Sequence, residues 1–241
     1  EELFAPRRIR THQQVGRALE EVHAQRLEEH AAELAAHFSQ STESSDLAKA
    51  VRYGEIAAKR ALSVYAYSEA VRLYEECLKA QEVLDPDDKA KQCDLLLGLG
   101  DALRWAGEAR RSVDETSAQA YVLAVTLGDR KRAFSACFLA CQGLWTLGQA
   151  LALATPEAKV WAERADQYAT PESTERVRAD YFVGMRKHVL GQVIEGHSLL
   201  RHGMNLARRL ADSDGFLVNA GLMLYWRSPR DDPDELLRIA E

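Results

Sequence analysis

Runs in which apolar and polar residues alternate are missing from this 241-residue chain, and prolines are few, six in all. Without such alternation there is no half-buried strand, so sandwiches and barrels are excluded and helices are left as the building element. Cysteine is scarce as well. Cys77, Cys93, Cys137 and Cys141 sit in apolar, helix-like surroundings, and four thiols in a chain of this length make no disulfide framework. They fit reduced thiols packed as small hydrophobes, and with them a cytoplasmic location. Cys137 and Cys141 share a helix face, but zinc takes four ligands and no histidine or further cysteine is near in sequence, so no metal site is expected.

Positive charge is also in deficit, with 31 Lys and Arg against 37 Asp and Glu for a net charge of -6. Arg7, Arg8 and Arg10 make one short basic cluster, which is no footprint for a phosphate backbone, so no nucleic-acid partner is expected. No uninterrupted apolar run approaches the roughly 18 to 20 residues of a membrane helix. Even "FLVNAGLMLYW" (Phe216 to Trp226) is short and carries Asn219, so no membrane partner is expected. The opening "EELFAPRRIR" lacks the apolar core of a secretory signal and starts abruptly, as a piece of a longer protein would. "GLGDAL" (Gly98 to Leu103) lacks the last glycine and the preceding strand of a dinucleotide loop, and "DSDG" (Asp212 to Gly215) lacks the spacing and closing glutamate of a calcium loop. The first reads as helix packing and the second as a turn that caps the next helix. No serine, cysteine or histidine has a recognisable nucleophile setting, so neither a cofactor nor an enzymatic activity is expected.

What the chain has in quantity is amphipathic helix. In "YSEAVRLYEECLKA" (Tyr67 to Ala80), Ala70, Tyr74, Cys77 and Leu78 share one side and Glu69, Arg72, Glu75, Glu76 and Lys79 the other. Ala70 and Tyr74 are expected to pack on Ala58 and Ala61 of the same hairpin, with Cys77 and Leu78 reaching the next. Helix starts are marked by a capping residue before proline and an acid: Thr155 in "TPEAKVW", Thr170 in "TPESTERV", Asp85 in "DPDD" and Asp232 in "DPDE". Asp46, after the polar connector "SQSTESSD", is a further capping candidate.

Small residues recur inside helices at Ala58, Gly100, Cys141, Gly184 and Gly221, and Gly107, Gly148 and Gly191 stand seven residues beyond three of them, at helix ends. Second amphipathic stretches follow, Tyr67 to Leu84, Ala109 to Leu127, Pro156 to Tyr168 and Val193 to Ala211. Glycine inside a helix costs roughly 1 kcal/mol relative to alanine, so its periodic use implies close helix approach. A two-helix period of this length marks an all-α, right-handed α-solenoid of about five tetratricopeptide-like hairpins, at residues 46–86, 87–128, 129–169, 170–212 and 213–241. The segment 1–45 precedes it as a helical cap. His23, His30 and His37 stand at heptad spacing there, about 10.5 Å of rise apart, and are expected to face an upstream module rather than one ion. Thr155 and Pro156 interrupt the third hairpin and are expected to distort it.

The succession "RRIRTHQQVGRALEEV", "EHAAELAAHF", "KAVRYGEIAAKRAL" and "YSEAVRLYEECL" resembles the repeat region of bacterial STAND-type ATPase regulators, either LuxR-type transcription regulators or ATPase-linked nucleotide cyclases, with MalT-like helical repeats. The resemblance covers Arg7 to about Leu84 well and the remainder in architecture. It implies a sensor and scaffold arm that binds an inducer or protein partner and restrains the ATPase module of the same parent chain. The phosphate loop G-x-x-x-x-G-K-[ST], a cyclase segment and a terminal helix-turn-helix are all missing from these 241 residues.

First helices of such hairpins line the concave side, and counting from the periodic small residues selects Arg104 and Trp105, then Phe138, Gln142 and Trp145, then Tyr181, Met185 and His188, and last Tyr225. These aromatic, Met and Arg side chains suit a groove for a protein, a peptide or a small effector. The alternative for the same residues is packing between hairpins. The alternative for the chain is an interaction module that builds homo-oligomers.

Overall fold

The computed structural model describes residues 5–226, which among themselves form helices and turns and no strand. The chain divides into two compact units, one through Leu127 and one from Gly128. The first holds α1 (Ala5–Val22), α2 (Ala31–Phe38), α3 (Ser44–Ser63), α4 (Tyr67–Leu84), α5 (Lys89–Trp105) and a final rod in three parts. That rod runs through α6 (Ala109–Arg111), a π-helical turn at Ser112–Ser117 and α7 (Ala118–Thr126). The second unit holds α8 (Arg130–Leu153), α9 (Pro156–Tyr168), α10 (Thr174–Val189), α11 (Val193–Leu210) and α12 (Ser213–Tyr225). Within each unit successive helices pack as antiparallel hairpins and one hairpin packs on the next, α4 against α5 in the first unit and α10 against α8 and α12 in the second. This is the stacking of an α-solenoid, in which a pair of helices is dry only through its neighbours.

Local chemistry places the boundaries. Asp88, Asp129, Thr155, Ser173 and Asp212 each accept a hydrogen bond from the backbone N–H three residues on, capping α5, α8, α9, α10 and α12. Two expected caps move by three residues. Asp85 gives way to Asp88 and instead accepts the Asp87 N–H at 3.1 Å. Thr170 gives way to Ser173, whose hydroxyl donates back to the Thr170 carbonyl at 2.6 Å. Asp232 lies outside the described residues. Asp46 does not cap α3, because it lies inside the first turn with its carboxylate buried and receiving Ser41 Oγ at 2.8 Å and Gln13 Nε2 at 2.9 Å.

At the helix ends Gly107 (φ 88°) and Gly191 (φ 80°) hold the left-handed position, and the N–H of the following residue reaches back to Leu103 and Lys187 at 2.8 and 2.9 Å. The same device closes α3, but there the left-handed residue is Tyr65 (φ 63°), with Ala66 N–H bonded to the Ala61 carbonyl at 2.8 Å. A side chain in that region costs about 1–2 kcal/mol. Tyr65→Gly is therefore expected to stabilise the first unit by about 1 kcal/mol, read as a rise in the urea midpoint at constant slope. In α8 the turn falls one residue later than its glycine suggests. Gln149 (φ 49°, ψ −131°), not Gly148, breaks the helix, and so distorts the third hairpin ahead of Thr155 and Pro156.

Packing assigns the periodic small residues. A Cβ on Gly196 would stand 2.8 Å from the Gly184 carbonyl oxygen, and one on Gly184 would stand 3.0 Å from that of Gly196, so α10 and α11 cross backbone to backbone. Gly98 lies under the Tyr74 ring, where a Cβ would meet ring carbons at 2.5 Å. Tyr74 thus reaches the neighbouring hairpin. Cys77 turns the other way, onto Gly54, and its thiol donates to the Val51 carbonyl at 3.6 Å within its own hairpin. The expected division of labour between Tyr74 and Cys77 is reversed, since one apolar stripe on α4 is wide enough to touch both neighbours. At Gly221 nothing lies within 4 Å, so close approach does not explain that glycine among the described residues.

The N-terminal helices share the first unit's core, with Leu34 and Phe38 buried among Leu47, Tyr53 and Leu73. α1 is attached differently. Among its described residues Gly16 alone is buried, set against the Phe38 ring; Leu19 packs half-buried on the same core, and polar groups add to this. Glu20 accepts from Lys49 at 2.6 Å and from the Tyr53 hydroxyl at 2.7 Å, and His12 and His37 meet through their Nδ1 atoms at 2.9 Å. The heptad histidines pair within the segment: the turn between the helices stacks His23 on His30 with centroids 3.6 Å apart. Burial and the neighbouring His12 lower the His37 pKa from its usual 6.5, opposed in part by Glu33. A folded-state pKa below the unfolded one gives stability that is present above about 6.5 and lost as pH falls through it. Hydrogen-exchange protection in α1, taken relative to the intrinsic rate at each pH, should therefore fall between pH 7.5 and 5.5 more than in α3, and His37→Gln should flatten that dependence.

α8 was not marked by any unbroken apolar run, yet an 18-residue window within it reaches a mean hydropathy of 1.4, enough by length and composition to cross a membrane. In the fold its apolar side, including Phe134, Leu139 and Leu144, is buried, with α9 and α10 packed against the helix.

Candidate functional site

In the first unit the two expected groove residues are built into an aromatic ladder. The Arg104 guanidinium lies over the Trp105 ring at 4.2 Å and is held by Asp101 at 2.7 Å. Trp105, 53% exposed, stacks on Tyr67 at 5.9 Å, and Tyr67 meets Tyr65 edge-on at 6.1 Å. Tyr65 and Tyr67 belong to this surface and were missed, because the count from small residues covered first helices and passed over the turn "VYAY". The Arg104 side chain is 11% exposed, covered by the ring and Asp101, so what this surface offers a partner is mainly the exposed Trp105 ring, which suits recognition of an apolar or aromatic group.

In the second unit Phe138 packs edge-on against Phe182 at 5.4 Å, and the Arg178 guanidinium stands 5.5 Å over its ring. Tyr181 meets the same Phe182 at 5.0 Å, and burial raises its hydroxyl pKa, keeping it a neutral donor. His188 lies flat on Trp226 at 4.2 Å with 5° between the rings, and Tyr225, 79% exposed, leans on Trp226 at 6.2 Å. Burial and the adjacent His197 lower the His188 pKa, which keeps the imidazole neutral near pH 7. Phe138 with Tyr181, and His188 with Tyr225, are thus brought together through Phe182 and Trp226. Gln142 and Trp145 stay half-buried along α8. Met185 does not belong to the set. It is 0% exposed, because its position on α10 faces the core rather than solvent.

All four cysteines are buried thiols outside any disulfide, and burial pushes the Cys77 and Cys137 thiols up to about 12. A thiol held neutral in this way is a packing group, not a nucleophile. Among the described residues no three His, Cys, Asp or Glu side chains converge as metal ligands would.

Stacked helical hairpins of this kind define a tetratricopeptide-like repeat fold. A crystal structure of a Podosopora anserina putative kinesin light chain, described as having nearly identical TPR-like repeats, superimposes with a TM-score of 0.59. It covers 88% of this chain and 100% of its own length at 14% sequence identity, a likeness of fold. No protein-family model and no curated protein matches the sequence.

Proposed function

We propose that the chain is the sensor and scaffold arm of a larger bacterial ATPase-linked regulator. It does no chemistry itself and binds a protein, a peptide or a small effector on the face made by the first helices of its hairpins. What carries the reading is the side-by-side packing of first helices in the second unit, where α10 lies between α8 and α12. Phe138, Tyr181, His188 and Tyr225 then come from three successive hairpins onto adjacent rods, and a long ligand can bridge them. A ligand bound there changes the ATPase equilibrium only by its differential affinity for two docked states of the arm.

The test is turnover of the ATPase module of the parent chain with the repeat region attached. Trp105→Ala together with Tyr225→Ala removes two exposed rings outside the core, so the melting curve should stay within the spread of surface substitutions, about 0.5 kcal/mol. ATPase turnover or its response to the effector should shift several-fold. Identical turnover for wild type and double variant, with and without effector, would overturn the reading.

A second reading, self-association, is favoured by α12, where Leu217 is 65% exposed beside a half-exposed Val218. It calls for a concentration-dependent dimer in light scattering that Leu217→Glu returns to monomer.

A further inference from the structure

The first unit has a second concave surface, lined by residues other than Arg104 and Trp105. α4 and α7 both pack on α5 without packing on each other, and the trough between them encloses about 970 Å³. Its floor is apolar, with Leu78, Leu96, Leu99 and Leu123. One end is tied by Arg111, which donates to Glu75 across the trough at 2.7 Å and to Glu115 at 3.0 Å. The π-helical turn sets that end in place: Ser112 donates to the Gly100 carbonyl at 2.7 Å, while Arg111, Glu115 and Thr116 line the trough. Such turns inside helices are frequent at functional sites.

Two further observations concern what fills it. α7 reads "AQAYVLAVT", apolar on nearly every side, as a helix covered all round would be. Ala120 and Ala124 are buried with α5 packed against the helix, and Val122, 62% exposed, lines the open side of the trough. The rim carries three acids and three bases, unevenly paired. Glu75 and Glu115 are both taken by Arg111, whereas Lys79 and Lys89 have no described carboxylate within bridging distance; the Lys89 ammonium donates only to the Pro86 carbonyl at 2.9 Å, and Glu82 is the one acid left at that end.

We propose that the trough binds an amphipathic α-helix of a partner protein, with leucine-sized side chains on the face that enters and acidic residues on its flank toward Lys79 and Lys89. The backbone N–H and C=O groups of all three walls are bonded within their own helices and offer an extended peptide no ladder. An extended segment pressed onto Leu96 and Leu99 would bury unpaired backbone groups at a few kcal/mol each. A helix arrives with its backbone bonds already made and presents side chains at i, i+3, i+4 and i+7. The Lys79 and Lys89 ammonium groups, neither bridged to a described carboxylate, select its flank by charge.

The experiment is selection from a display library of helical peptides, randomised at i, i+3, i+4, i+7 and the flanking positions, against the 241-residue chain. Enriched peptides are then titrated by fluorescence anisotropy. The expected result is enrichment of large apolar residues at the inward positions and Asp or Glu beside them. The dissociation constant should rise at least tenfold with Val122→Arg, an exposed site where arginine leaves the melting curve unchanged. Lys79→Glu should weaken binding and reduce its salt dependence. Failure to enrich helical peptides, or equal binding to wild type and Val122→Arg, overturns the proposal. So does a dimer of the chain that Val122→Arg dissolves, which would give the trough to a second copy.

Discussion

Gly196→Ala is expected to destabilise the second unit by about 2 kcal/mol, within the range of overpacked cores. The added methyl would stand 2.8 Å from the Gly184 carbonyl oxygen and 3.1 Å from the His188 nitrogen. Both obstacles are backbone, so relief requires α10 and α11 to separate, loosening the Leu200 and Met204 core beside the crossing. The helix-propensity gain of alanine over glycine, roughly 1 kcal/mol, works in the opposite direction and is outweighed. Gly221→Ala isolates that gain, because the methyl meets open space there, and it should raise stability by somewhat under 1 kcal/mol. Chemical denaturation followed by circular dichroism distinguishes the two, and equal effects at both positions would refute the backbone crossing.

Asp180→Ala should cost about 3 kcal/mol, the usual consequence of removing one member of a buried ion pair. Asp180 is 1% exposed, forms an ion pair with Arg176 of the same helix at 2.9 Å, and meets the His202 ring at 2.6 Å, which ties α10 to α11. The substitution leaves Arg176, itself largely covered, with Asp166 alone at 2.6 Å. Burial raises the Asp180 carboxyl above the usual 3.8, against the pull of His202 and Arg176. A raised folded-state pKa contributes stability that is complete below the unfolded value and declines as pH rises through the folded one. The gap between wild type and Asp180→Ala should therefore be wider at pH 4 than at pH 7. A gap that instead grows toward neutral pH would contradict the desolvation of this carboxylate.

The repeated two-helix unit was legible because its signals are local and redundant: small residues at a period of about forty, and glycine where α5 and α10 need a left-handed turn. Tyr65 broke that rule in the sequence and keeps it in the structure, so the turn is imposed by the hairpin and not by the residue. Capping was legible to within one turn only. "DPDD" offers an acid at Asp85 and at Asp88, and which one caps depends on where α5 must start to put Leu95 and Leu99 into the core. The amphipathic stripe of α4 announced a dry face but not which neighbour covers it, hence the exchange of Tyr74 and Cys77. Met185 shows the limit of counting along first helices, since a shift of one position on a helix turns a side chain by about 100°, from groove to core. The π-helical turn left no mark in Ala109 to Leu127, which reads as one amphipathic helix. The trough it frames is a gap between rods and has no residue pattern of its own.

The physical core of the structure is that no pair of helices stays dry by itself. Leu103 on α5 is fully buried in the cluster that also holds Leu73 and Tyr74 of α4 and Tyr53 of α3. Native-state hydrogen exchange on Leu103→Ala, a substitution that typically costs 2–5 kcal/mol, measures whether the loss crosses from one hairpin to the next. Mutual coverage predicts that slow amides in α3 and α4 lose protection together with those of α5. Undiminished protection in α3 and α4, with the loss confined to α5 through α7, would mean that the first hairpin is self-sufficient and would contradict it.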